Sequence, residues 1–261
     1  MTQNIYPMTC VAPTVSAILD LPVPGGAVGA AAISEIVADL RPAERAAILA
    51  TDAFGEFAWS MWHDEMPYLQ SLRAQRTLTL RSVLPSITPV NFAAMVTGTD
   101  LDGHGVRTYN HDFECETLFD VVRAAGGQSA GIGIDGYTGS RLLARFADIG
   151  GTALDKSDDA VAAQVIDIVV AHQPQFLIAQ LGVVDDVFHA HGPSSSEVVP
   201  MLRGTDARLK RLVEFLKPHG YGVIILSDHG QHDIPDPVPG GLRGGHGSDS
   251  DQDCLVPCVW I

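Results

Sequence analysis

Short apolar segments alternate along the chain with segments of helical periodicity, and this alternation limits the fold more than any other feature. The predicted strands are residues 46–52, 78–84, 129–135, 175–185, 221–228 and 254–261. The predicted helices are residues 27–40, 116–126, 158–173 and 196–217, with Gly126 and Gly220 at positions where helices should end. Such alternation is typical of an α/β fold with a mostly parallel sheet.

Composition narrows the class of protein. The chain has 261 residues, 46% of them hydrophobic, which is enough for a sizeable core in one large or two small domains. Its net charge of −15 argues against a nucleic-acid polymer or an anionic membrane as partner, because like charges repel. No apolar run reaches the length of about 18 residues that a membrane span needs. The sequence leaves the oligomeric state open.

The cysteines and the first residues favour a reducing compartment. MTQNIYPMTCVAPT, at the start, lacks the basic and apolar regions of a signal peptide. Cys10, Cys115, Cys254 and Cys258 form no CxxC pair and no disulfide framework. The apolar context DCLVPCVWI favours buried core cysteines at 254 and 258 over metal ligands. We therefore expect a cytoplasmic protein.

Three acidic residues fall at the ends of predicted strands. Asp52, Asp185 and Asp228 each lie at the carboxyl end of one. Because the carboxyl ends of parallel strands meet at one edge of a sheet, where ligands bind, these carboxylates are expected to converge. Each also has an ordinary interpretation, since an Asp after a strand often caps a helix or starts a turn.

Histidines accompany two of these acids. Asp185 and His189 are four residues apart and would share one face of a helix, and carboxylate with imidazole suits Zn²⁺ or a similar ion. Asp228 and His229 are adjacent and would point apart on an extended chain, so they could serve the two ions of a two-metal hydrolase. His246 lies between glycines on a loop that could turn toward a metal. Taken singly, each could also be a solvated polar residue.

Two hydroxyl residues precede a helical stretch that is predicted to begin at Asn91. Ser86 and Thr88 lie just after a predicted strand. A hydroxyl at a helix N-terminus is well placed as a nucleophile, because the positive end of the helix stabilises an alkoxide and a bound phosphate. The alternative is an ordinary N-cap hydroxyl.

Five segments, in this order, resemble the alkaline phosphatase superfamily and especially its nucleotide pyrophosphatase/phosphodiesterase branch. They are TDAFGEF, PSITPVNFAAMVTGTDLDGHG, DDVFHAHGP, SDHG and GGHGSD, and the resemblance spans about residues 48–261. It implies a three-layer α/β/α sandwich with a mostly parallel central sheet. It also implies a single catalytic domain over residues 1–261, with residues 1–45 as an N-terminal lead-in.

The resemblance assigns roles to residues. It implies one metal site from Asp185, His189 and His246, and a second from Asp52, Asp228 and His229. Thr88 would be the nucleophile and a ligand at the second site, preferred to Ser86 because the family places this hydroxyl three residues before an Asn, here Asn91. The family holds a phosphate oxygen with an Asn after the HG pair; Asn110 is the nearest, one residue out of register. His104 belongs to the motif as a structural residue.

The implied reaction is hydrolysis of a small phosphorylated substrate at two divalent ions, Zn²⁺ or alternatively Mn²⁺. We expect cleavage of phosphodiester or nucleotide pyrophosphate bonds through a phosphorylated Thr88. The alternatives are a phosphomonoesterase or a phosphonate (C–P) hydrolase. A monoester dianion would need a further cation, for which Arg81, Arg107 and Arg141 are candidates. Only residues 230–245 separate SDHG from the last His, where larger relatives carry an insertion, so the resemblance does not by itself assign nucleotide specificity.

Two other functions compete. Residues 131–136 read GIGIDG, a literal GxGxxG, but the glycines of a dinucleotide-binding motif follow the strand, whereas these lie within the predicted strand. The second alternative is a metal-binding protein that kept the ligands without catalysis, which bound metal with no ester turnover would favour.

Overall fold

The computed structural model describes residues 4–41 and 43–261. These residues form an eight-stranded sheet in the order β1-β3-β10-β7-β2-β6-β4-β5, with a two-stranded β8–β9 ladder beside it. Every neighbouring pair in the large sheet is parallel except the two that β10 makes with β3 and β7. The strands are β1 Ile5–Pro7, β2 Arg45–Thr51, β3 Thr77–Arg81, β4 Ser129–Ile134, β5 Ile149–Ala153, β6 Phe176–Leu181, β7 Tyr221–Ser227, β8 His232–Asp233, β9 Gly244–Gly245 and β10 Leu255–Trp260.

The helices connect these strands. They are α1 Val11–Leu19, α2 Ser34–Leu40, α3 Glu56–Trp62, α4 Pro67–Arg73, α5 Thr88–Thr97, α6 Leu101–His104, α7 Leu118–Ala124, α8 Ala144–Phe146, α9 Asp158–His172, α10 Val183–His191, α11 Val199–Leu216 and α12 Asp251–Cys254. A π-helix, Gly139–Leu143, precedes α8, and short 3₁₀ turns span Met8–Cys10, His63–Glu65, Ser196–Val198 and Lys217–His219. Among the described residues, no helix combines the length and apolar character that crossing a membrane requires.

Helices cover both faces of the sheet. Alternate residues of a strand point to opposite faces. Accordingly, Ala47 and Leu49 of β2 lie in one core with α4, α9 and α11, while Ala46 and Ile48 lie in the other with α1, α2, α5 and α7. The predicted three-layer α/β/α architecture with a mostly parallel sheet is confirmed. The division into one catalytic domain and a lead-in stays a prediction, although part of that lead-in, β1, adds an edge strand to the sheet.

The six predicted strands are present with shifted ends. The largest error is at 175–185, where β6 ends at Leu181 and α10 begins at Val183 after Gly182. The apolar residues of LGVV do not distinguish a strand from the first turn of a buried helix. The predicted helix 27–40 is wrong before Ser34, because the chain turns there with Gly29 at φ +85°. The helix expected from Asn91 begins at Thr88.

The GxGxxG segment has a packing role. Gly131 and Gly133 lie inside β4, as predicted, and a Cβ on Gly133 would approach Gly139 Cα to 2.6 Å. The two glycines therefore let the π-helix approach the strand closely. This strand-internal placement does not support the dinucleotide-binding alternative.

All four cysteines are unpaired, and Cys10, Cys254 and Cys258 are buried. Cys258 belongs to the central strand β10, so the expectation of core cysteines agrees with the structure.

Candidate active site

Three adjacent strands, β7, β2 and β6, end at the same edge of the sheet. Asp52 follows β2, and Asp228 and His229 follow β7. The helix after β6, α10, carries Asp185 and His189 one turn apart. The parallel register of the three strands therefore brings together the carboxylates that the sequence predicts to converge.

The predicted ligands form two neighbouring groups, and Asp185 lies close to both. In the first group, His189 Nε2 lies 3.3 Å from Asp185 Oδ2, and His246 Nε2 lies 3.6 Å from Asp185 Oδ1. In the second, His229 Nε2 lies 3.5 Å from Asp52 Oδ1 and 3.3 Å from Asp228 Oδ2. The ligand atoms of Asp185, His189 and His246 lie within 4.8 Å of one another, and so do those of Asp52, Asp185 and His229.

All three imidazoles present Nε2 to the cluster. Each Nδ1 contacts a backbone carbonyl: His189 that of Gly244 at 2.8 Å, His229 that of Gly230 at 3.0 Å, and His246 that of Ser86 at 3.1 Å. An Nδ1–H that donates to a carbonyl leaves the Nε2 lone pair for a ligand, which is the usual arrangement of a metal-binding histidine.

The charge balance of the cluster is unfavourable without cations. Burial raises the pKa of Asp52 well above its ordinary value, and the charges of Asp228 and Asp185 add to this. Burial also raises the pKa of Asp228, whose buried Oδ2 has no hydrogen-bond partner. The pKa of Asp185 is lowered despite its burial, by the contact with His189 and by the nearby His229 and His246. Burial lowers the pKa of His246 to about 4, which favours its neutral form.

These residues fit first-row divalent ions. Buried carboxylates that lie this close together need cations to remain charged, and an orphaned carboxylate oxygen offers a free ligand atom. Carboxylate oxygens together with neutral imidazole nitrogens are the ligands that Zn²⁺ takes in proteins.

Thr88 is the hydroxyl that faces the cluster. It is the first residue of α5, and its Oγ1 donates to Asp52 Oδ1 at 3.3 Å and lies 3.0 Å from His229 Nε2. The Ser86 hydroxyl is buried and donates instead to the carbonyl of Ser248 at 2.7 Å. Ser86 therefore ties its loop to the loop that carries His246.

Asn91 holds the loop before Thr88. Its side chain is fully buried, its Oδ1 accepts a hydrogen bond from Val83 N at 2.8 Å, and its Nδ2 donates to the carbonyls of Val83 and Ile87, both at 3.2 Å. The motif asparagine thus fixes residues 83–87, which lead into α5.

A cavity of about 240 Å³ opens beside Thr88. It is lined by Asp52, Thr88, Pro89, Tyr109, Gly136, Tyr137, Thr138, Gln180 and Asp185. Asn110 is exposed and is not part of this lining, whereas its neighbour Tyr109 is. None of the lining residues comes from the described part of the N-terminal segment, residues 4–41.

None of the three candidate arginines lines the cavity. Arg81 forms salt bridges with Asp249 and Asp251 on the surface. Arg141 Nη2 lies 3.7 Å from Asp135 Oδ1, and Arg107 is exposed. The lining residues include no Lys or Arg at all.

His104 lies outside the cluster, as predicted for a structural residue. Its ring is fully buried, burial lowers its pKa to about 4, and its Nδ1 accepts a hydrogen bond from Val106 N at 3.0 Å.

Sequence reasoning missed four side chains near the ligands: Tyr109, Tyr137, Gln180 and Gln231. Only Gln180 left a signal, as the one polar residue in FLIAQL, the sequence of β6. A lone amide in a strand that is buried on both faces needs a hydrogen-bond partner, and here that partner is Asp52.

The sequence profile of the type I phosphodiesterase/nucleotide pyrophosphatase family matches residues 109–241, about half of the chain. The chain belongs to this family. The matched region contains Asp185, His189, Asp228 and His229, whereas Asp52, Thr88 and His246 lie outside it. No curated protein sequence matches the chain.

Solved structures share the fold. Murine ectonucleotide pyrophosphatase/phosphodiesterase 5 superimposes with a TM-score of 0.66 at 14% identity, over 82% of this chain and 87% of the mouse protein. The human protein of the same name gives a TM-score of 0.66 at 15% identity, over 83% and 87%. Phosphonoacetate hydrolase from Sinorhizobium meliloti 1021, solved with phosphonoformate, gives 0.59 at 17% identity over 73% of this chain. This chain spans only 57% of that hydrolase.

Proposed function

We propose that this chain is a metal-dependent hydrolase that cleaves phosphodiester or nucleotide pyrophosphate bonds through a phosphorylated Thr88. The observation that carries the proposal is the position of Thr88 Oγ1, which lies 3.3 Å from Asp52 Oδ1 and 3.0 Å from His229 Nε2 at the N-terminus of α5. Membership of the family supports hydrolysis of phosphoric esters.

The proposal includes two divalent ions, Zn²⁺ or alternatively Mn²⁺. One would be held by Asp185, His189 and His246, and the other by Asp52, Asp228, His229 and Thr88. When bound, such ions lower the pKa of a coordinated hydroxyl or water and neutralise the charge of phosphate oxygens.

Different residues of the chain act in different steps of the proposed reaction. Asp52 Oδ1 accepts the hydrogen bond of the Thr88 hydroxyl and so orients Oγ1. Oγ1 releases its proton to solvent and forms a bond to phosphorus while the bond to the ester oxygen breaks, and the leaving oxygen takes up a proton from solvent. A second water then hydrolyses the phosphothreonine and restores the hydroxyl. The N-terminus of α5 stabilises the phosphate oxygens through its positive dipole end.

The charge of the cavity supports a diester over a monoester. A phosphodiester carries one negative charge, whereas a phosphomonoester or phosphonoacetate carries more and benefits from a nearby Arg or Lys. The residues that line the cavity include neither. The role of Asn110 in holding a phosphate oxygen stays a prediction, and Tyr109, which lines the cavity, is a second candidate for it.

The test compares Thr88→Ala, Thr88→Ser and wild type, each loaded with Zn²⁺ or Mn²⁺. We expect Thr88→Ala to lose turnover of a p-nitrophenyl phosphodiester by at least about 10³-fold, because it removes the nucleophile. The metal content should stay near that of wild type, because Asp52, Asp228 and His229 would still hold the second ion. Thr88→Ser keeps a hydroxyl and should retain measurable turnover. Acid quenching during turnover, followed by mass spectrometry, should find phosphate on Thr88 in the wild type.

Thr97→Ala is the matched control, since its hydroxyl lies at the other end of α5, where it donates to the Ala93 carbonyl at 2.8 Å and accepts from Thr99 N at 3.4 Å. Unchanged turnover in Thr88→Ala would refute the proposal. Faster turnover of the matched monoester would favour a phosphomonoesterase, and release of phosphate from phosphonoacetate would favour the C–P hydrolase. Two bound ions without turnover of any of these substrates would favour the non-catalytic alternative.

We also propose a cytoplasmic setting, supported by the four unpaired cysteines, which a reducing compartment would keep in that state. Cell fractionation with an antibody against the chain would test this.

A further inference from the structure

Gln180 is a buried amide within contact of one predicted ligand. It lies in β6 and is 1% exposed. Its Nε2 donates to Asp52 Oδ2 at 2.5 Å, and its Oε1 accepts from Gly139 N at 2.5 Å. Because Gly139 begins the π-helix directly after the cavity residues Tyr137 and Thr138, one amide joins a predicted ligand to the cavity wall.

Gln231 makes the corresponding contact with the other ligand group. It is also 1% exposed, and its Nε2 donates to Asp185 Oδ1 at 2.5 Å and to the Asp185 carbonyl at 3.3 Å. Gly244, whose carbonyl contacts His189 Nδ1, packs so closely that a Cβ there would collide with the Gln231 amide. Gln231 therefore lies between the acid and the segment that orients its histidine.

We propose that Gln180 and Gln231 are positioning residues, each of which fixes one carboxylate of one metal site, Asp52 and Asp185 respectively. This inference rests on the proposed function, since it assumes that these carboxylates bind metal.

The division of the Asp52 oxygens is the strongest support. Gln180 occupies Oδ2, while Oδ1 is the oxygen near Thr88 Oγ1 at 3.3 Å and His229 Nε2 at 3.5 Å. The carboxylate torsion of an Asp is broad, so a donor on one oxygen selects the rotation that turns the other toward the cluster. At Asp185, Gln231 binds Oδ1, which also lies 3.6 Å from His246 Nε2, and Oδ2 lies beside His189 Nε2 at 3.3 Å.

An amide suits this role better than a cation would. A Lys or Arg in either position would neutralise the carboxylate and compete with a divalent ion for it, whereas a neutral N–H orients the oxygen and keeps its charge. Hydrogen-bond partners of metal ligands typically account for about 10- to 100-fold in metal affinity.

The test measures metal binding as well as activity. Metal-free wild type, Gln180→Met and Gln231→Met are titrated with Co²⁺, and binding is followed by the visible absorption of the bound ion and by competition with a chelator. The methionine keeps most of the side-chain volume and removes the donor. We expect each variant to weaken one of the two binding steps by about 10- to 100-fold. Gln70→Met, on the outer helix α4, is the control and should bind as wild type.

Excess metal distinguishes positioning from a loss of folding. If the glutamines act on the ligands, hydrolysis by the variants should recover at high Co²⁺, because the weakened site refills. Binding constants within about twofold of wild type for both variants would overturn the proposal, as would an activity loss that excess metal leaves unchanged. If a methionine variant fails to fold, Gln→Asn at the same position keeps the amide but shortens its reach, and the same loss of affinity is expected.

Failure of the proposed function gives a different result. If the wild type binds two ions but hydrolyses no phosphate ester, the proposed function fails, and the binding constants still decide the role of the glutamines. If the wild type binds no ion, both proposals are overturned.

Discussion

Replacing Asn91 by Ala should both destabilise the folded chain and displace Thr88. The side chain is fully buried and makes three hydrogen bonds to the backbone of residues 83–87, at 2.8, 3.2 and 3.2 Å. A hydrogen bond of this kind contributes about 1 kcal/mol net, so the loss is about 3 kcal/mol before any relaxation of the loop. For a chain of this size, 1 kcal/mol lowers Tm by about 2–4 °C, so we expect a decrease of about 6–12 °C.

The assay is thermal unfolding of the metal-free protein, combined with turnover of the metal-loaded protein below the transition. Asn91→Asp keeps an acceptor for Val83 N but buries a carboxyl group against the carbonyls of Val83 and Ile87, so its Tm should be at least as low as that of Asn91→Ala. Turnover should fall in both variants, because the loop leads into Thr88 and its Ser86 carbonyl contacts His246 Nδ1 at 3.1 Å. A Tm of Asn91→Ala within about 2 °C of wild type would refute this account of the loop.

Two further predictions concern packing and pH. Gly133→Ala should destabilise by about 1–3 kcal/mol, since its Cβ would approach Gly139 Cα to 2.6 Å. Gly204 lies in the exposed interior of α11, where an added Cβ would meet no atom within 4 Å, so Gly204→Ala should stabilise the fold by about 0.5–1 kcal/mol. Urea denaturation that reversed the order of the two variants would contradict the packing argument. Burial raises the pKa of Asp158 to about 6 although Arg208 opposes it, so the folded state binds this proton more tightly than the unfolded state. The free energy of unfolding of the wild type, relative to that of Asp158→Asn, should therefore fall by up to about 3 kcal/mol as pH rises from about 4 through 6. A difference between the two proteins that does not change with pH would contradict the burial argument.

The sheet could be predicted from the sequence because its strands are continuous apolar runs. Strands β2, β6 and β7 are buried on both faces and needed no periodicity to be recognised. The same argument explains the misses. Helix α1, VAPTVSAIL, is buried on nearly every side and has no polar face, and β5, IGGTA, contains two glycines that weaken a strand pattern.

The sequence predicted the residues that meet at the site but not the hydrogen bonds that orient them. Family membership is confirmed, and the structure brings the six predicted ligands and Thr88 to one edge of the sheet, although their roles remain predictions. Spacing could not show that all three histidines present Nε2, because their Nδ1 partners are backbone carbonyls from distant loops. Gln231 contacts Asp185 across 46 residues of sequence, and no local pattern carries such a pairing.

The short connection after SDHG can deliver His246 because it is fastened at several points. Arg243 N donates to the carbonyl of His189 at 2.8 Å, which fixes the loop to α10 just before β9. Beyond His246, the buried Asp253 accepts from Ser248 N at 3.0 Å and contacts His232 Nδ1 at 2.7 Å. These contacts fix the loop that carries His246 on both sides of that residue.

Tyr109 and Tyr137 line the cavity from two loops that are separate from this connection. If the ligands and Thr88 act on the phosphate, these two aromatic residues are the ones placed to contact the leaving group. We therefore expect Tyr137→Ala to change kcat/KM for diesters with large leaving groups more than kcat/KM for a minimal diester, whereas Tyr109→Ala should lower both if Tyr109 holds a phosphate oxygen. Chemistry and selectivity would then reside on separate segments, with the chemistry fixed by strand ends and the selectivity by loops.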